Sequence, residues 1–169
     1  MIPPVGDIHT HNQGAKDAVI NLEQGQTELR PGALYSVGWH PWWAVPADWE
    51  WIGRMAREEQ VALIGECGID TLRGQGSIEE QLALTEKHAR LAEELGKPLL
   101  LHIVGSWGEI IGLRKRMKPK QPWIIHGFRG KPELARQLVR AGFLISLGEK
   151  FNPGVPEAIG PEFLLRETD

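Results

Sequence analysis

Short apolar runs recur along the chain. Leu34–Val37, Ala62–Ile64, Pro98–Ile103, Pro122–Ile125, Phe143–Leu147 and Phe163–Leu165 are the firmest. Ala18–Leu22 is weaker, and Ile8 lies in a brief segment at the start. Several runs are continuous rather than alternating, which predicts strands buried on both faces, as in parallel sheets. Helical stretches separate them. In Ser77–Leu95, the positions Leu82, Thr85, Ala89, Ala92 and Leu95 follow helical spacing. Ser77 with Glu80 three residues later forms a capping-box signal, and Gly96 then Pro98 stop the helix. Lys131–Ala141 is a second helix, with Pro132 in its first turn and Gly142 closing it. Trp49–Glu59 and Gly108–Met117 complete the set. Strands alternating with helices predict βαβ units and a parallel sheet, hence an α/β fold. Asn12–Pro31 is polar and irregular.

The 169 residues predict one domain spanning 1–169. That is short beside the roughly 250 residues of a complete (β/α)8 barrel. Formal net charge is 19 − 22 = −3, so the chain does not rely on nonspecific attraction to phosphates. A nucleic-acid substrate would need bound cations and a local basic patch. The single cysteine, Cys67, excludes an intrachain disulfide. The first residues lack the pattern of a signal peptide. No run approaches the ~20 apolar residues of a membrane helix. A cytoplasmic protein without membrane association is therefore expected.

Candidate chemistry lies where the apolar runs end. Asp7-Ile8-His9-Thr10-His11 ends the first segment, and Gly38-Trp39-His40-Pro41 follows the next firm strand. Gly65-Glu66-Cys67-Gly68 ends the third, and His102 and His126 end the fourth and fifth. Gly148-Glu149 ends the sixth, and Glu167-Thr168-Asp169 the last. The carboxyl ends of parallel strands share one face of an α/β fold, and that face carries the active site. His9 and His11, two residues apart, can approach one metal from the same face. An H-x-H pair alone is a weak signal, since two surface histidines give the same pattern. Five of six histidines at strand ends, with Glu66 and Asp169, make a metal site the better reading. Mixed imidazole and carboxylate ligands suit Zn, Mn, Fe or Mg. Carboxylates clustered without a cation would repel one another, leaving the site unstable or partly protonated. The sixth histidine, His88, falls mid-helix, where packing explains it better than ligation.

The motifs D-I-H-T-H, G-W-H-P, I-G-E-C-G-I-D, G-K-P-L-L-L-H, I-I-H-G-F-R-G and L-L-R-E-T-D occur in that order across almost the whole chain. Together they resemble the TatD family of metal-dependent deoxyribonucleases. The resemblance implies a TIM-like (β/α) barrel, two divalent ions (Mg, Mn or Zn) and hydrolysis of DNA phosphodiester bonds, often as an exonuclease. It further implies that His9 and His11 hold the first ion, that Glu66 bridges both, and that His102 and His126 hold the second. Asp169 would be a ligand and the general base, and His40 would lie in the substrate pocket. The chain also departs from the family. Only Asn12–Pro31 separates the first histidine pair from G-x-H-P, so a helix is expected to be missing there. The family's last helix, which follows the aspartate, is not part of this sequence. Trp42 stands where many members have another histidine, and Arg129 replaces a small hydroxyl residue. The expected fold is thus a reduced barrel.

Other residues have two readings. Arg129, beside His126, can grip a phosphate or be a solvated loop arginine. Trp39, Trp42 and Trp43 can stack on bases, though filling the barrel mouth or the space left by the missing helix is the better reading. Arg114-Lys115-Arg116, Lys118 and Lys120 can meet a nucleic-acid backbone, but a solvated helix end is the better reading. Cys67 reads as a buried filler. The expected function is a DNA phosphodiesterase. The alternatives are a metal-dependent hydrolase of a small amide, lactone or phosphoester, and a metal-stabilised binding module without turnover.

Overall fold

The computed structural model describes residues 1–169. Eight strands run parallel in sequence order: β1 (Asp7–Thr10), β2 (Ala18–Asn21), β3 (Leu34–Val37), β4 (Val61–Asp70), β5 (Leu99–Val104), β6 (Trp123–Ile125), β7 (Leu144–Leu147) and β8 (Leu164–Arg166). The helices are α1 (Trp49–Ala56), α2 (Ile78–Leu95), α3 (Trp107–Met117), α4 (Pro132–Arg140) and the single turn α5 (Val155–Ala158). A 3-10 turn at Pro161–Phe163 leads into β8. The sheet closes nearly completely: beyond β8, the Asp169 N–H donates to the His9 carbonyl at 2.9 Å. This is the reduced barrel expected. Two crossovers lack a helix rather than one, because β1–β2 and β2–β3 are both joined by loops alone.

The helix signals act as read. Ser77 and Glu80 form the reciprocal capping box of α2, and Gly96 ends it at φ 66°, a conformation that costs glycine little. Asp48 caps α1, and Pro132 occupies the first turn of α4. Lys97 Nζ binds the carbonyls of Ala56 and Glu58 just past α1.

Two apolar clusters form. The larger lies between sheet and helices, and includes Ile64, Ile69, Leu101, Trp123 and Phe143. The smaller contains Ile8, Val19, Leu63, Leu100 and Ile124, with Leu34, Leu144 and Leu165 packed against it. Each strand contributes one of these eight residues, so they fill the inside of the barrel, which is a packed core and not a pore. Side chains alternate across a strand. Two positions further on, the inward residues are polar: Asn21, Ser36, His102, His126, Ser146 and Glu167. An apolar plug thus supports a polar layer at the carboxyl ends of the strands.

Candidate metal centre

His9 and Glu66 enter this polar layer out of phase with simple alternation. The register of β1 against β2 slips between Asp7 and Thr10, and that of β4 against β5 slips between Ile64 and Cys67. An extra residue in one strand of a pair re-aims the side chains beyond it. Glu66 therefore lies within β4 rather than at its end, contrary to the sequence-based expectation, and still turns into the barrel. The glycines beside it allow the close approach. A Cβ on Gly38 would lie 2.6 Å from the Glu66 carbonyl oxygen, and one on Gly65 would collide with the Leu100 carbonyl.

Glu66 is the centre of the cluster and is buried. Its Oε1 lies 2.8 Å from His126 Nε2, 3.3 Å from His40 Nε2 and 3.7 Å from His102 Nδ1. Its Oε2 lies 3.2 Å from His9 Nε2 and 3.1 Å from His11 Nε2. Asp169 Oδ1 is 3.0 Å from His9 Nε2 and 3.4 Å from His11 Nε2. All six expected ligand positions, with His40, thus meet around one carboxylate. All but the fully buried His9 line a cleft of about 1060 Å³.

The outer hydrogen bonds determine which nitrogens are free. His126 Nδ1 faces Glu167 Oε2 at 3.2 Å, and Gly127 N–H holds the other Glu167 oxygen at 2.6 Å. His102 Nε2 faces Asp70 Oδ2 at 2.9 Å. Each ring donates to its carboxylate, which leaves His126 Nε2 and His102 Nδ1 as acceptors 3.4 Å apart with Glu66 beside them. Two acceptors and a carboxylate at that spacing need a shared cation or a proton. Glu66 Oε2 and His9 Nδ1 are buried without a hydrogen-bond partner. This donor set fits divalent metal. His40 differs. Its Nδ1 accepts the Trp42 backbone N–H at 3.1 Å, so its proton sits on Nε2, toward Glu66. That nitrogen lies 3.3 Å from Glu66 Oε1, within ion-pair range.

Without a cation, the charge is balanced by protons. Burial alone would lower the His9 pKa, but Glu66 and Asp169 raise it to about 9. His126 is likewise raised well above its ordinary value, burial being outweighed by Glu66 and Glu167. Burial would raise Glu66, yet His126 and His9 hold it well below the ordinary range. Asp169 is lowered, chiefly by its hydrogen bond with His9. The site carries protons in the absence of metal, but not on the carboxylates. Each has imidazole neighbours, so the protons reside on the rings.

The remaining expected residues divide. Arg129 is exposed on the cleft wall. Glu149 is exposed and outside the cluster. Cys67 is buried, and burial raises its thiol well above the ordinary value. His88 is buried in α2; its Nε2 accepts the Trp39 N–H at 2.9 Å and its Nδ1 donates to the Leu84 carbonyl at 2.8 Å. Trp39 and Trp43 pack with Trp51, whose indole N–H binds the Gln26 carbonyl in the helix-free β2–β3 loop. Trp42 is different: it is 43% exposed and bonded to Asp70. Arg114 lies against the Phe143 ring and binds the Ala141 carbonyl, and Arg116 pairs with Glu86, so part of the basic cluster braces the fold. Sequence reading missed Glu167 and Asp70 as site residues. The signal for Glu167 was its place two residues before Asp169, on the same face of the last segment.

A parallel barrel with a histidine–carboxylate cluster at the carboxyl ends of its strands is a TIM-like barrel carrying a candidate metal centre. The profile of the TatD related DNase family matches residues 7–169, and the chain belongs to that family. It is 33% identical over 168 residues to a 3'-5' ssDNA/RNA exonuclease TatD of Klebsiella pneumoniae, covering 88% of this chain and 63% of that protein. It is 28% identical over 145 residues to the uncharacterized metal-dependent hydrolase YabD of Bacillus subtilis, covering 79% of this chain and 57% of that protein. The chain thus spans less than two thirds of the length of these relatives. The crystal structure of YjjV, a TatD homologue from Escherichia coli, superposes with a TM-score of 0.76 at 19% identity, covering 100% of this chain and 80% of the other. No helix is long and apolar enough to cross a membrane.

Proposed function

We propose that this chain is a divalent-metal-dependent phosphodiesterase that hydrolyses single-stranded nucleic acid, DNA being the substrate to test first. The observation that carries this reading is the convergence of five imidazoles on the buried Glu66 carboxylate, two of which, His9 and His11, also meet Asp169. His9, His11, Glu66 and Asp169 would hold one ion, and Glu66, His102 and His126 a second, of Mg, Mn or Zn. Bound there, the ions supply Lewis acidity and the positive charge that a phosphodiester needs before it can be attacked.

The side chains do the rest. Asp169 is half-exposed at the cleft, with one oxygen engaged by His9, and is placed to take a proton from an attacking water. His40 directs its Nε2 toward Glu66 Oε1 at 3.3 Å, and His126 and His9 keep that carboxylate ionised. Arg129, with neither a hydrogen-bond nor an ion-pair partner, is available to grip a phosphate on the cleft wall. Support also comes from the exonuclease name of the Klebsiella relative.

A second reading, hydrolysis of a small amide, lactone or phosphoester, draws on the net charge of −3 and on a cleft walled by Trp42, Trp107 and Phe128. One experiment separates the two: elemental analysis of the purified protein beside hydrolysis of labelled single-stranded DNA, with EDTA and with added Mg²⁺ or Mn²⁺. Bound metal with EDTA-sensitive shortening of the DNA supports the nuclease. Bound metal with intact DNA favours the small-molecule reading. No metal under any loading condition defeats both.

A further inference from the structure

We propose that Trp42 is a positioning residue of the metal centre: through its two N–H groups it sets which nitrogen His40 and His102 each present to Glu66. The inference rests on the reading of His102 as a metal ligand.

The indole Nε1–H of Trp42 donates to Asp70 Oδ2 at 2.7 Å. The same oxygen receives His102 Nε2–H at 2.9 Å. The other oxygen, Oδ1, receives the backbone N–H groups of Leu72 and Arg73, each at 2.9 Å. Asp70 is buried, and Gln81 Oε1 accepts its backbone N–H at 2.8 Å. The carboxylate is therefore held from two sides and cannot rotate. Fixed in this way, it keeps the His102 proton on Nε2 and turns Nδ1 toward Glu66 and His126. The backbone N–H of Trp42 does the complementary task on His40, occupying Nδ1 and sending the ring proton to Nε2. One residue thus makes His102 an available ligand and turns the Nε2 of His40 toward Glu66. The indole itself packs edge-on to both rings, with centroids 4.8 Å from His40 and 5.6 Å from His102. The Arg73 guanidinium lies 5.1 Å over its ring. Simple hydrophobic burial does not account for Trp42, because 43% of it is exposed.

The test compares Trp42→Phe, Asp70→Asn and the double variant with the wild type. Phenylalanine keeps an aromatic ring, smaller than the indole, and removes the indole N–H. Asparagine keeps an oxygen for the Leu72 and Arg73 amides and replaces the Oδ2 acceptor with a donor. The readouts are Mn²⁺ affinity by calorimetry, the visible spectrum of the Co²⁺-loaded protein, and the unfolding midpoint. Asp70→Asn is expected to weaken one Mn²⁺ site by roughly 10–100-fold. Trp42→Phe, one bond further out, is expected to weaken the same site by roughly three- to tenfold and to shift the Co²⁺ bands, with little change in unfolding. The double variant should match Asp70→Asn alone, because both act through one carboxylate. Additive losses, or a Trp42→Phe protein that loses stability while binding metal normally, overturn the assignment of Trp42. An Asp70→Asn protein with unchanged metal affinity overturns it together with the assignment of His102. A wild type that binds no Mn²⁺ overturns both, along with the proposed function.

Discussion

The backbone N–H of Asp169 donates to the carbonyl of His9 at 2.9 Å, and the two side chains meet at 3.0 Å between Oδ1 and Nε2. The last segment of the chain and the first strand are thus joined by main chain and by candidate ligands at the same point. Closing the barrel and assembling the metal centre become one event. Asp7 reinforces the join: its Oδ1 accepts the N–H of His9 at 3.1 Å and of Thr168 at 3.0 Å, and its Oδ2 accepts the Thr168 hydroxyl.

Replacing Asp7 with alanine should therefore loosen the seam and the site together. The expected cost is about 1–2 kcal/mol, because the amides it releases are partly solvated. Mn²⁺ affinity should fall in the same variant although Asp7 is no ligand. Urea unfolding and metal titration would measure the two effects. A stability loss with normal affinity would separate closure from ligand placement.

Glu66→Gln and Asp169→Asn should behave differently. Glu66 contacts every histidine of the cluster, so its amide should empty the site of metal and abolish hydrolysis. Asp169 stands at the cleft rather than the centre. Its asparagine variant should retain at least one ion, yet lose turnover by roughly 10²–10⁴-fold if it acts as the base. Elemental analysis beside single-turnover DNA hydrolysis distinguishes the two patterns.

Metal loading should release protons. With its pKa raised to about 9, His9 is protonated at pH 7 when no cation is present, and must lose that proton to bind one. His126 is raised in the same sense. Affinity should accordingly increase from pH 6.5 to pH 9. Calorimetry in two buffers of different ionisation enthalpy counts the protons released. Buffer-independent heats at pH 7 would contradict the ionisation pattern. In metal-free protein the His9 contribution to stability runs the other way: it is whole below pH 6.5 and is lost as pH rises through 9.

Much of this was legible in sequence because the apolar runs and helix caps are local signals. The capping box of Ser77 and Glu80 forms as expected, and the six strands β2, β3, β5, β6, β7 and β8 fall within a residue of their expected bounds. The strand-end histidines were legible for the same reason. What could not be read were effects of register and of partners distant in the chain. The slips in β1 and β4 turn His9 and Glu66 inward against simple alternation, and slips leave no periodic trace. Asp70 looked like one residue of a motif, and its role appears only when β5 places His102 beside it. Trp42 reads as one tryptophan among seven until its indole is seen on that same carboxylate.

His88 offers the last prediction, away from the metal. Burial holds its pKa at about 4, below the ordinary 6.5. The unfolded chain therefore binds this proton first as pH falls. The stability tied to neutral His88 is whole above pH 6.5 and declines as pH drops through 6.5 toward 4, by about 3 kcal/mol in all. His88→Leu should show the opposite balance. At pH 7.5 it should be less stable than the wild type by about 1–3 kcal/mol, because the Trp39 N–H loses its acceptor inside the core. Near pH 4 the difference should shrink or reverse, because leucine carries no protonation penalty. Urea midpoints of both proteins from pH 4 to pH 8, taken in EDTA so that metal does not contribute, would test this. Parallel curves would mean that His88 does not titrate as its surroundings require.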